Sequence, residues 1–251
     1  MYKILPQIND SPDIQRTSSS PQEVPPQYLK DSIFAGGDFQ VLEAAYGNIN
    51  GVYKTSNGYF GGSFSKPTYK EVTEAVTGHT EAVKVVYDSR IISFSLLCDI
   101  FWDTHNPTNK DYLNFGLSTH QRSVIFYKTE EERKEAQKSK IRKQMKLNKR
   151  IVTKILSMEK CEFFLAENQY QKYYLQKHYK LCGSLGLRST EQFVESNIAC
   201  KLNGILRMSG EQKVDELAIY LGIHQELPYH AKLDCEEIIE DLRNHANKKS
   251  S

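Results

Sequence analysis

The chain has 251 residues, 39% hydrophobic and 25% charged, with a formal net charge of +2. That is enough apolar mass for one large domain with appendages or two small domains, and too little net charge to argue a general nucleic-acid or membrane partner. No apolar run approaches the roughly 18 residues of a membrane span, and residues 1–10 lack the apolar stretch of a secretory signal. The five cysteines, Cys98, Cys161, Cys182, Cys200 and Cys235, form no C-x-x-C pair. That lack argues against zinc or thioredoxin-like chemistry, their odd number and wide spacing argue against a disulfide framework, and the default is a reducing cytoplasmic or nuclear setting.

Residues 1–30 read as a disordered Ser/Pro-rich tail without periodicity. Within it Pro25-Pro26-Gln27-Tyr28 matches the P-P-x-Y pattern of WW-domain ligands, which bind as preformed polyproline II segments. Next come a short buried strand, Ile33 to Ala35, and a Gly36-Gly37 turn. Phe39, Leu42, Ala45 and Tyr46 then recur at helical spacing. This layout puts Asp38 at a helix N-terminus, where backbone N–H groups and the macrodipole favour an anion. Aspartate is also a favoured N-cap.

Gly51 to Thr55 and Glu81 to Tyr87 read as strands, separated by a glycine-rich loop over Asn57 to Gly62. That loop has neither the G-x-G-x-x-G pattern nor a P-loop lysine, which argues against phosphate binding. Phe94, Leu97, Ile100 and Phe101 mark a helix face, and Gln121 to Tyr127 another strand. Thr129 opens a long helix with Glu132 as capping-box partner; the lysine-rich remainder to Arg150 reads as a solvated face with a minor capacity to dock an acidic partner. Ile151 to Ile155 is a further strand. Beyond Gly183 the pattern turns helical, with helices from Ser189 to Gly204, from Ser209 to Gly222 and from Asp234 to about Lys248. The spacing predicts an α+β fold, a two-layer sandwich with a mixed sheet over residues 31–183, and a helical C-terminal extension over 184–251. The histidines His79, His105 and His120 have no metal-ligand spacing and read as hydrogen-bonding residues.

Several motifs occur in order: Gly36-Gly37-x-Phe39 with Glu43, Gly58-Tyr59-Phe60-Gly61-Gly62, Pro67-Thr68-Tyr69, Gly78-His79-Thr80-Glu81, and Phe101-Trp102-Asp103-Thr104-His105-Asn106-Pro107. Arg122-Ser123 and Phe163-Phe164-Leu165-Ala166-Glu167-x-x-x-Gln171-x-Tyr173 complete the set. Together, over residues 32–183, the sequence resembles the MsrA family, the peptide methionine (S)-S-sulfoxide reductases. The resemblance implies a thiol mechanism. A cysteine at the helix N-terminus attacks the sulfoxide sulfur and is left as a sulfenic acid, which a C-terminal cysteine resolves as a disulfide. An aromatic pair cups the methyl group, and a glutamate with two tyrosines binds the oxygen and feeds it a proton. No metal or prosthetic cofactor is implied, only thioredoxin or another thiol reductant.

Carried across residue by residue, the match is broken at its centre. Asp38 stands at the nucleophile position, Phe39 keeps the first aromatic, and Gln40 replaces the second. Tyr69 and Glu81 match the first tyrosine and the acid, while Gly116 and Gln121 replace the family's aspartate and second tyrosine. Cys182 falls where many members keep a resolving cysteine, and Ala199-Cys200-Lys201-Leu202-Asn203-Gly204 resembles the extension of a divergent branch. A carboxylate has no two-electron oxidation step to replace that of a thiolate. The expectation is a redox-inactive binding or regulatory protein that recognises a methionine-containing peptide near Phe39, Tyr69 and Glu81. The alternatives are thiol-dependent reduction through Cys182 or another cysteine, and, lowest, a hydrolase built on Asp38.

Overall fold

The computed structural model describes residues 24–109, 119–159 and 161–250. Six strands form one mixed sheet: β1 (Leu29–Gly36), β2 (Val52–Phe60), β3 (Thr80–Asp88), β4 (Ser123–Tyr127), β5 (Lys154–Ser157) and β6 (Phe164–Leu165). Their spatial order is β5-β4-β1-β3-β2-β6. The β4–β5 pair is parallel, and the others are antiparallel.

Side chains alternate across a strand, so each strand feeds both faces. Phe34, Val83, Val85 and Ile125 join the main core under α1 (Phe39–Gly47) and α3 (Phe94–Thr104). Ile33, Ala35, Ala82, Val124 and Phe126 point the other way, into a smaller cluster covered by Met158, Cys161 and Phe163. Two further helices border the sheet. Helix α2 (Tyr69–Thr73) is closed by a capping box between Thr68 and Glu71. Helix α4 (Glu130–Gln144) packs Ala136 and Ser139 inward, where Ser139 Oγ accepts from Trp102 Nε1 at 3.0 Å. The two-layer α+β expectation therefore holds.

Several boundaries differ from the sequence reading, each for a physical reason. Strand β1 starts at Leu29, and Pro26–Tyr28 is a 3-10 turn rather than part of a structureless tail. The P-P-x-Y segment is therefore not an extended polyproline II ligand: the Tyr28 ring lies 4.4 Å from the Arg90 guanidinium, and its carbonyl accepts from Ser89. The expected loop over Asn57 to Gly62 is largely strand, since β2 runs to Phe60. Asn57 is a turn former in water, but here its amide is buried and bonded to Glu43 and the Tyr170 carbonyl. Gly58 admits β6 at close range, since a Cβ there would lie 2.4 Å from the Phe164 carbonyl oxygen. Gln121, expected to open the fourth strand, instead ends the 3-10 turn Thr119–Gln121. Thr129 caps α4, but Glu132 reaches back to Lys128 N–H instead of closing a box. The strand expected over Ile151 to Ile155 is displaced, because Ile151 N–H is taken by Gln144 and Val152 N–H by Pro107.

The C-terminal region comprises α5 (Tyr173–Gln176), α6 (Tyr179–Ser184), α7 (Thr190–Glu195), α8 (Asn197–Arg207), α9 (Gly210–Ile223) and α10 (Tyr229–Ser250). The helix expected from Ser189 to Gly204 is two helices. Ser196 ends α7 and caps α8 by accepting from Ala199 N–H at 3.0 Å. Ser209, expected to cap α9, makes no side-chain cap bond. The region has its own apolar cluster, including Leu175, Leu181, Leu202 and Leu217. It is nevertheless joined tightly to the sheet layer. Gly47 and Gly204 allow backbone-on-backbone contact between α1 and α8: a Cβ on Gly204 would lie 2.4 Å from Asn48 N, and one on Gly47 would lie 2.4 Å from the Cys200 carbonyl. Lys201 Nζ donates to the Ile49 carbonyl at 2.6 Å.

Candidate functional site

The β1–α1 turn carries Asp38 to the surface as the N-cap of α1. Its Oδ1 accepts from Gln40 N–H at 2.7 Å. The preceding helical donor, Phe39 N–H, bonds Glu81 Oε2 at 3.2 Å. Two carboxyl groups thus take the first two free N–H groups of the helix, the place where a helix terminus welcomes negative charge.

Glu81 sits on β3, directly across from Tyr59 on β2, and is 1% exposed. Burial pushes its pKa up to about 8; the Phe39 N–H and the Gln121 side chain pull it down, and the Asp38 charge pushes it further up. Glu81 therefore holds its proton at neutral pH. Its Oε1 is buried with no hydrogen bond of normal geometry among the described residues. A neutral carboxyl group with an uncommitted oxygen can donate to a polar ligand.

Aromatic rings form the wall beside it. Phe39 is buried, with its ring 6.3 Å from Tyr59, 6.4 Å from Tyr69 and 5.8 Å from Tyr170. Tyr69 and Tyr170 stack at 4.3 Å. Glu167 fixes this group: Oε2 accepts from Tyr59 OH at 2.5 Å and Oε1 from Tyr69 N–H at 2.8 Å. Burial raises the pKa of both tyrosines, with neighbouring carboxylates adding to the shift.

The structure brings Asp38, Phe39, Gln40, Tyr69, Glu81 and Gln121 to one end of the sheet. Gly116 lies outside the described residues. Cys182 is placed elsewhere, on α6 in the core of the C-terminal helices, where its thiol donates to the Leu175 carbonyl at 3.4 Å. Burial pushes its pKa up to about 11, away from thiolate reactivity. All five cysteines are free, and four of them are buried. Of the histidines, His105 bonds the Phe101 carbonyl and Ser123 Oγ as expected. His79 does not: both ring nitrogens are buried without a hydrogen-bond partner among the described residues, and the ring packs edge-on to Phe164.

The sequence reading assigned no role to Tyr59, Glu167 or Tyr170. The available signal was the Glu167-x-x-Tyr170-Gln171 run, in which three residues reach the same strand end. No cluster of three or more metal-ligating side chains occurs among the described residues. No helix among them is long and apolar enough to cross a membrane.

Comparison with known proteins gives a consistent result. The family model described as "Peptide methionine sulfoxide reductase" matches residues 30–202. The chain is 37% identical over 180 residues to the peptide methionine sulfoxide reductase MsrA of Methanosarcina mazei, covering 70% of this chain and 84% of that one. It is also 37% identical over 180 residues to the peptide methionine sulfoxide reductase A5 of Arabidopsis thaliana, covering 72% and 69% respectively. Among solved structures, methionine sulfoxide reductase A of Corynebacterium diphtheriae superposes with a TM-score of 0.55 at 28% identity, covering 59% of this chain and 75% of that one. Mxr1 of Saccharomyces cerevisiae in reduced form also gives a TM-score of 0.55, at 27% identity and 61% and 88% coverage. With well over half its length inside the family model and the same sheet-and-helix architecture, the chain belongs to the peptide methionine sulfoxide reductase family.

Proposed function

We propose that this family member binds a methionine-bearing peptide, in its thioether or sulfoxide form, without carrying out the thiol chemistry of reduction. The observation behind this reading is Asp38. Its carboxylate caps α1 beside Glu81 at the position where the thiol mechanism needs a cysteine, and the two cysteines of the same core, Cys98 and Cys200, are buried. The aromatic rings offer an apolar, polarisable surface for a methyl-sulfur group. The protonated Glu81 offers a donor to a sulfoxide oxygen. A hydrolytic role for Asp38 gains no support, since its Oδ1 is already committed to the cap. Five free thiols suit a reducing, cytoplasmic setting.

The test is turnover of a methyl-sulfoxide peptide with dithiothreitol or thioredoxin as reductant. The expected result is no turnover, with wild type equal to Cys182→Ser. Turnover above that variant would establish the alternative, thiol-dependent reduction of methionine-S-sulfoxide. An Asp38→Cys variant separates a lost nucleophile from a lost site. Its thiol should titrate below the ordinary value of about 8.5 and form a sulfenic acid with peroxide. An ordinary thiol pKa there would contradict the helix-terminus reading.

A further inference from the structure

A second surface lies at the opposite edge of the sheet. Among the described residues, strand β5 is terminal in the strand order and is paired with β4 alone. An open groove of about 1070 Å³ runs between this edge and α4. Its apolar parts are Ile141, Ile151, Val152, Ile155 and Leu156, and its charged parts are Lys140, Arg150 and Lys154.

The charges in this groove differ from those on the side of α4 that faces α3. Toward α3 the cations are paired: Arg142 with Asp99 at 3.1 Å and Lys143 with Asp103 at 2.7 Å. Arg133 pairs with Glu130 within α4 itself. Among the described residues, no acidic side chain lines the groove. Lys140, Arg150 and Lys154 form no ion pair among the described residues, and Lys140 donates only to the Thr153 carbonyl. Lys154 alone would be the ordinary protection of an exposed strand edge. Lys140 and Arg150 come from other segments, and their convergence needs a separate reason.

We infer that the β5 edge and its cationic groove dock an acidic peptide segment in extended conformation, added to the sheet as a further strand. The free edge of β5 supplies main-chain hydrogen bonding, and alternate side chains of the added strand meet the isoleucines and the cations. Four residues of β5 span about 13 Å, room for a strand of four or five residues. This surface is separate from the Glu81 site, so occupancy does not depend on sulfoxide chemistry.

The probe is a fluorescein-labelled octapeptide of alternating Glu and Val, titrated into the full chain by anisotropy. Saturable binding is expected, with amide hydrogen exchange slowed across residues 154–157. The Lys140→Glu/Arg150→Glu double variant should weaken binding at least tenfold. Arg150 is exposed, so Arg150→Glu alone should still weaken it severalfold if the double variant fails to fold. A peptide with every Val replaced by Pro keeps the charge but cannot pair as a strand, and should bind at least tenfold more weakly. Equal affinity for that peptide, or for a single-stranded oligonucleotide of equal charge, overturns the proposal, as does absent binding or an unchanged Arg150→Glu affinity.

Discussion

Two buried glutamates, Glu43 and Glu81, sit on neighbouring elements and are treated in opposite ways. Glu43 is fully buried on α1 and fully partnered: Oε1 takes the Lys172 ammonium at 2.5 Å and Thr55 Oγ1, while Oε2 takes Lys172 N–H at 2.9 Å and Asn57 Nδ2 at 3.0 Å. The left-handed backbone at Lys172, φ 47°, lets one residue present both its amide and its ammonium to the same carboxylate. Among the described residues Glu81 has no ion-pair partner; it has one backbone donor, the Gln121 amide and an uncommitted oxygen. A protein that satisfies one buried acid so thoroughly has the means to satisfy the other. The contrast marks Glu43 as a clamp, and under the proposed function Glu81 is the acid kept available for a ligand.

The largest test of this contrast is Lys172→Met. It leaves Glu43 buried without its cation, and the expected cost is about 3–5 kcal/mol in urea denaturation. A loss below about 1 kcal/mol would break the distinction between clamp and site.

Glu81→Gln comes next and is read through pH. The folded-state pKa of about 8 lies above the ordinary 4.5, so the folded protein keeps a proton that the unfolded chain releases. Stability from this group is therefore fully present below pH 4.5, declines as pH rises toward 8, and is level beyond. At about 1.4 kcal/mol per pH unit the decline is on the order of a few kcal/mol. The glutamine variant should flatten it, seen as denaturation midpoints that match at pH 5 and pH 8. A slope that survives would assign the titration to another group.

The smallest effect sharpens the picture further. Asp38→Asn keeps a good N-cap while removing the charge. Stability should change by no more than about 0.5 kcal/mol, while the Glu81 titration midpoint, followed by carboxyl carbon NMR, moves down. An unmoved midpoint would mean that Asp38 does not act on Glu81.

The sequence already made the strand-turn-helix at Asp38 legible, because glycine turns, apolar spacing and an N-cap residue are local signals. Tyr69 and Glu81 came from a motif order that no single pattern supplies. Glu167 and Tyr170 were not assigned, because their roles depend on a strap that returns about 100 residues later to meet Tyr59 and Tyr69. Asn57 and Gly58 misled for the opposite reason. Both have strong turn preferences, and burial against Glu43, Tyr170 and β6 overrides them. Cys182 was placed by sequence position alone, which carries no information about which core its side chain joins.

The Gly47–Gly204 contact gives α1 a mechanical character. The helix has nine residues, a strut of about 13 Å. One end is pinned backbone to backbone by α8, and the other is tethered through Phe39 N–H to Glu81. At that contact no side chain separates the two backbones, so a shift of the C-terminal helices is delivered along the strut to position 38. Trimming those helices would free one end of a rigid rod whose other end frames the proposed site.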